Sequence, residues 1–132
     1  MGLARFVSTM TTYLLASSSV HTSAAACDYL ADRLGDEDTV MVLGVAEPDA
    51  PERDAGDAIN VARARLAPAT VWSEQREGDP VAEILDLAAD VEADELVLGQ
   101  RGGDSEGETI GLGSTVAAVA GETDRPVVVV PV

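Results

Sequence analysis

At 132 residues, of which 46% are hydrophobic, the chain has the size and apolar content of a single domain with a real core. Its formal net charge of -16 comes from 24 acidic residues set against eight arginines and no lysine. That excess excludes a nucleic-acid backbone or an anionic membrane surface as a natural partner, since both would be repelled, and no apolar run is long enough to span a bilayer.

Aromatic residues make up only 3% of the chain, so the core must be built from Val, Leu, Ile and Ala. That composition suits a parallel sheet covered by small-residue helices. The chain is too apolar for a disordered acidic tail. Abundant Asp and Glu without Lys matches a protein adapted to high salt, where screening relieves self-repulsion; an ordinary acidic protein is the alternative. Cys27 and His21 are each the only residue of their kind, so no internal disulfide and no Cys-based zinc cluster can form. A Cys27/His21 nucleophile is a conceivable pairing, but a small buried cysteine needs no chemistry.

Residues 1–10 read as an N-terminal extension or an upstream start, and 11–132 as the domain. Ala24-Ala25-Ala26 imitates a signal-peptide cleavage site. Ser8, Thr9, Thr11, Thr12 and Ser17 to Ser19 interrupt the apolar core such a peptide needs, and cleavage would remove a strand. The cytoplasm is the expected location.

Thr12 to Ala16 forms a short strand candidate, broken by Ser17-Ser18-Ser19. The next helix is expected from about Ser23 to Leu34, with Cys27, Leu30, Ala31 and Leu34 on one face, and Gly35 stopping it. Thr39 to Val45 is nearly all apolar and reads as a strand buried on both faces. An acidic, proline-containing loop, Glu47 to Gly56, leads to a weaker helix from Asp57 to Leu66 with Ile59, Ala62 and Leu66 inward. Thr70 to Gln75 has the mixed polarity of an edge strand.

Gly78-Asp79-Pro80 is a helix start: Asp79 can cap and Pro80 fits the first position. Val81, Ile84, Leu85, Ala88 and Val91 are expected to form its buried stripe, with Glu83, Asp86 and Asp90 in water. Glu95 to Leu98 is the fourth strand. The final helix opens near Ser114, runs through Val116, Val119 and Ala120, and stops at Gly121. Pro126 to Val130 is the fifth strand. Five strands alternating with four helices predict an α/β fold, a parallel sheet with helices on both faces. Ligands of such sheets sit beyond the carboxyl ends of the strands, at the switch point.

The fourth strand runs into Gly99-Gln-Arg-Gly102-Gly103, then Gly107, Gly111 and Gly113-Ser114-Thr115 before the last helix. Strand, glycine loop and helix start is the layout of a phosphate cradle, because glycines let the backbone approach an anion and the helix start offers free N–H groups. A solvated surface loop has the same composition.

Gly78-Asp79-Pro80, the helix after it, Ala93 to Gly103, Gly113-Ser114-Thr115 and Pro126 to Val130 together resemble the universal stress protein family over about residues 11–132. The resemblance implies a Rossmann-like, adenine nucleotide alpha-hydrolase-like fold with strand order 3-2-1-4-5. It also implies a stress-response role, a homodimer through the C-terminal strand and, in one branch, bound ATP, with or without Mg²⁺. Carried over residue by residue, it places Leu98 and Gly99 against ribose and phosphates and Val45 near adenine. Gly102 or Gly103 and Gly113, Ser114 and Thr115 would donate to phosphate, and Ser17 and Ser18 stand where an aspartate usually meets the nucleoside. Ten residues separate Gly102 from Gly113 where the family's phosphate signature has nine, and Asp104, Glu106 and Glu108 share the loop with only Arg101. The second reading is therefore a dimeric interaction module that has lost its nucleotide. A stand-alone enzyme finds no His-centred triad or paired metal ligands here, which leaves slow ATP hydrolysis as the enzymatic option.

The charge reading predicts that thermal stability rises with salt, because screening shortens from about 10 Å at 0.1 M to about 3 Å at 1 M. Melting curves recorded across that range check it; a midpoint indifferent to salt contradicts it.

Overall fold

Each strand is joined to the next by a helix that crosses back over the sheet, so all strand pairings are parallel. The computed structural model describes residues 10–17, 19–46, 52–67, 69–100 and 113–131. Their order is β1 (Thr12–Ala16), α1 (Val20–Ala31), β2 (Thr39–Ala46), α2 (Glu52–Leu66), β3 (Thr70–Glu77), α3 (Pro80–Asp90), β4 (Glu95–Gly99), α4 (Ser114–Glu122) and β5 (Val127–Val130). The sheet order is β3-β2-β1-β4-β5, as the family resemblance implies. Thr12 to Ala16 register against Thr39 to Leu43 on one side, and Tyr13 to Ala16 against Glu95 to Leu98 on the other.

Side chains alternate across the sheet and divide the core in two. Leu15, Val40, Val42 and Val97 pack with Ala26, Cys27 and Leu30 of α1 and Ile59, Ala62 and Leu66 of α2. Leu14, Leu43, Leu96 and Leu98 pack with Ile84, Leu87 and Ala88 of α3 and Val116 and Val119 of α4. Each fully buried Leu or Val contributes about 1.5–3 kcal/mol, so a sheet buried on both faces makes up for the missing aromatics.

Two carboxylates fix the start of β1. Asp38 accepts the Thr11 N–H at 2.9 Å and Asp94 accepts the Thr12 N–H at 2.8 Å. The backbone answers in kind: the Thr39 N–H donates to Thr11 O and the Asp94 N–H to Thr12 O.

Several boundaries differ from expectation. Helix α1 starts at Val20, not Ser23, because the Ser19 side chain accepts the Thr22 N–H and caps it. It ends at Ala31, which is exposed; Gly35 lies beyond the helix and donates to Asp38. Helix α2 starts at Glu52 and contains Gly56, which the sequence reading assigned to a loop. Asp54, in the first turn, favours that start by complementing the helix dipole. In α3, Asp79 caps the Ala82 N–H and Pro80 opens the helix as expected. Its fully buried residues are Ile84, Leu87 and Ala88, whereas Val81, Leu85 and Val91 are only partly covered. Glu83, expected in water, receives Arg76 at 3.3 Å.

Helix α3 ends in a two-bond C-cap, the Glu92 N–H to Ala89 O and the Ala93 N–H to Ala88 O, with Glu92 at φ 52°. Helix α4 continues through Gly121 to Glu122, and Ala120 is exposed. Strand β5 begins at Val127, since Pro126 has no N–H to give, although its carbonyl accepts from Leu96.

The segment read as a possible signal peptide supplies the central strand, and Ala24 to Ala26 lie inside α1. Cys27 faces the core, its thiol pushed up to about 11 chiefly by burial, while His21 is exposed. The two are not a catalytic pair.

Gly44 sets how closely α2 approaches β2: a Cβ there would stand 3.0 Å from Ala55 O, 3.1 Å from Ala55 Cβ and 3.2 Å from Ile59 Cδ1. Gly44→Leu is expected to lose at least about 3 kcal/mol, the upper end of overpacking costs, in chemical denaturation at molar salt; Gly44→Ala should lose markedly less.

Candidate functional site

In this strand order the connections from β1 and β4 leave neighbouring strands toward opposite faces of the sheet, which opens a crevice at their carboxyl ends. There β1 ends in Ala16 and Ser17, and β4 in Gly99 and Gln100.

The two ends of the glycine-rich segment are joined. The Gln100 N–H donates to Val130 O at 2.7 Å, which anchors the exit of β4 to β5. The Gly113 N–H donates to Gln100 O at 2.9 Å, which brings the start of α4 back to the same point. Gly102 and Gly103, with the rest of 101–112, lie outside the described residues.

Helix α4 differs from its counterparts at this end of the sheet. Ser19 caps α1 and Asp79 caps α3, each with a side-chain oxygen. The N-cap of α4 is Gly113, with φ -69° and ψ 164° and no side-chain cap bond. A helix start leaves N–H groups without intrahelical partners. In α4 the N–H groups of Ser114 and Thr115 stand at such a start, with no capping bond from the Gly113 position. Ser114 is exposed and Thr115 half-buried.

Val45, Leu98 and Ala16 are nearly buried and belong to one apolar cluster with Val116 of α4. They form a floor on the face from which α4 rises. The structure thus gathers Val45, Leu98, Gly99, Gly113, Ser114 and Thr115 at one end of one face.

Ser17 is turned the other way. Its N–H donates to Leu43 O at 2.9 Å and its hydroxyl to Ser19 O at 2.9 Å. Ser23 Oγ lies 2.9 Å from Ser17 Oγ and 2.8 Å from Ala58 O. This buried network joins the end of β1 to α1 and α2. Ser18 lies outside the described residues. Ser23, fully buried, is the polar residue the sequence reading missed. Its spacing of four from the cap Ser19 marks it as part of the first helical turn, but only tertiary packing supplies Ala58 as its partner.

Arginines are unevenly placed. Arg33, Arg63, Arg65 and Arg125 lie at the amino end of the sheet, where Arg63 meets Val71 O and Ser73, and Arg125 meets Ala93 O. Arg76, near the carboxyl end of β3, is held by Glu74 at 2.8 Å, Glu83 at 3.3 Å and Asp90 at 3.7 Å.

The family model for universal stress proteins matches residues 14–131. The chain belongs to the universal stress protein family. Solved structures agree with that membership. Universal stress protein UspA from Lactobacillus plantarum is 25% identical, with a TM-score of 0.70 and coverage of 91% of this chain and 97% of that one. A universal stress protein in complex with cAMP is 26% identical, with a TM-score of 0.67 and coverage of 94% and 98%. The universal stress protein from Archaeoglobus fulgidus in complex with dAMP shares the fold at 16% identity, with a TM-score of 0.65 and coverage of 92% and 97%. A search of curated proteins returns no match. Among the described residues, no helix of this family member is long and apolar enough to cross a membrane.

Proposed function

We propose that the chain is a regulatory protein of the universal stress type that binds an adenine nucleotide where β1 and β4 end, and that it works in the cytoplasm of a salt-adapted cell as part of a stress response. One observation carries the reading: α4 begins at a glycine with no capping side chain, and that glycine is hydrogen-bonded to the residue following β4. A helix start so placed suits a phosphate, and the apolar floor of Val45 and Leu98 beside it suits a purine ring. The cAMP and dAMP complexes of the two structural relatives support the same ligand class. ATP, with or without Mg²⁺, is the member of that class implied by the family resemblance, and slow hydrolysis of it is the one enzymatic activity in view.

Calorimetric titration with adenine nucleotides tests the site. Gly113→Val is expected to abolish binding, because a branched side chain occupies the ground where backbone and phosphate meet. Ser114→Ala is expected to weaken binding by about 1–3 kcal/mol, the range of a charge-assisted hydrogen bond. Wild-type affinity in both variants would contradict the reading.

The second reading, a dimeric interaction module without nucleotide, is favoured by Ser17: no carboxylate follows β1, and its hydroxyl is taken up by Ser19 and Ser23. Both readings include a homodimer through β5. That strand stands at a sheet edge, Val127, Val128 and Val129 are only half-buried, and Pro126 and Pro131 bound its length. Light scattering in molar salt at tens of micromolar protein should return twice the 13.6 kDa chain mass; a monomer contradicts the dimer.

A further inference from the structure

We infer that Arg63 closes the β3 edge of the sheet to strand addition, so that a second copy of this chain does not pair along it. This edge lies opposite β5, and its closure does not depend on whether a nucleotide binds.

Strand β3 is the longer of the two edges, eight residues against four in β5, and among the described residues it pairs with β2 alone. The Gly78 N–H donates to Ala46 O, so the alternate residues before it, Arg76, Glu74 and Trp72, direct their backbone groups toward β2. Val71, Ser73, Gln75 and Glu77 then turn theirs outward, where an added strand would meet them. The carboxyl half of β3 carries charge on Glu74, Arg76 and Glu77. The amino half, Thr70-Val71-Trp72-Ser73, carries none. Thr70 and Val71 are β-branched and Trp72 is 60% exposed. Uncharged and built of strand-forming residues, that half is the stretch a second copy could use as a template.

Arg63 stands over this stretch. On α2 it follows Ile59 by four residues and precedes Leu66 by three, which puts it on the flank of the buried stripe. Its guanidinium donates to Val71 O at 3.4 Å and to Ser73 Oγ at 3.2 Å. The carbonyl that an incoming strand needs at Val71 is thereby engaged, and the arginine fills the space beside it. In a chain of 24 acidic residues and eight arginines, this guanidinium meets a carbonyl and a hydroxyl. Among the described residues no carboxylate pairs with it. Repulsion between acidic copies cannot guard the edge in molar salt, where screening shortens to about 3 Å. A side chain that occupies the edge directly does not rely on that repulsion.

The test compares three full chains in about 2 M salt: wild type, Arg63→Ala, and Arg63→Ala combined with Ser73→Pro. Light scattering from tens to hundreds of micromolar reads the mass, and fluorescence of Trp72, the sole tryptophan, reads the edge. At the top of that range Arg63→Ala should reach at least about twice the wild-type mass measured at the same concentration. Its Trp72 emission should move to shorter wavelength as a neighbouring strand covers the ring. Ser73→Pro removes an outward N–H that an added strand would use and spares the ladder to β2, so the double variant should return to the wild-type mass. Arg63 is exposed and Ala favours a helix, so circular dichroism should show the fold retained; if it is lost, Arg63→Gln is measured in its place. A folded variant with wild-type mass at every concentration overturns the inference. So does assembly that leaves Trp72 emission unchanged or that Ser73→Pro does not reverse.

Discussion

Strand β1 has hydrogen-bonded neighbours on both edges and packed helices on both faces, and the rest of the molecule is arranged around that confinement. A strand in that position has no exposed edge or face on which to place a polar residue, so Leu14 and Leu15 can only point into the two halves of the core. The chain must leave its end abruptly. Ser17 does so by bonding Leu43 and Ser19, and Ser19 then caps α1. At its start, Asp38 and Asp94 take the N–H groups of Thr11 and Thr12. The order 3-2-1-4-5 is what results when the first strand takes the centre and the chain builds outward on one side, then the other.

That order also creates the crevice. Because β1 and β4 are neighbours whose following helices pack on opposite faces, their carboxyl ends meet at the switch point of the sheet. Helix α4 starts at this gap with its dipole directed toward it and with glycine where α1 has Ser19 and α3 has Asp79. Among the described residues, the site combines the N–H groups and hydroxyls at the start of α4 with the apolar Val45, Leu98 and Ala16. On the proposed reading, a chain with a net charge of -16 would hold an anion through such fixed dipoles, which act within a distance over which the diffuse acidic field is screened.

The carboxylates have separate duties. Asp38, Asp79 and Asp94 accept backbone N–H groups and shape the fold, and Glu74, Glu83 and Asp90 hold Arg76 between β3 and α3. The two edges of the sheet reflect this division. Strand β3 carries ion pairs and an exposed Trp72, whereas β5 carries four valines between prolines. Charge on an edge discourages pairing and an apolar edge invites it.

The sequence by itself determined the α/β class, the five strands to within a residue or two, the Asp79-Pro80 helix start and the strand order implied by the family resemblance, because those depend on short-range pattern: apolar runs, turn residues and caps. It determined less well where helices begin. The start of α1 depended on which of three adjacent serines would cap, and α2 on acidic residues that read equally well as a loop. What only the tertiary structure decided was which partner each polar group would find. Ser17, which the family resemblance sets near a nucleoside, is bonded to Ser19 and Ser23, and Ser23 becomes a buried partner of Ala58. Arg76 is enclosed by three carboxylates drawn from two elements. Those outcomes rest on contacts between residues distant in sequence, where no periodicity or spacing along the chain carries the information.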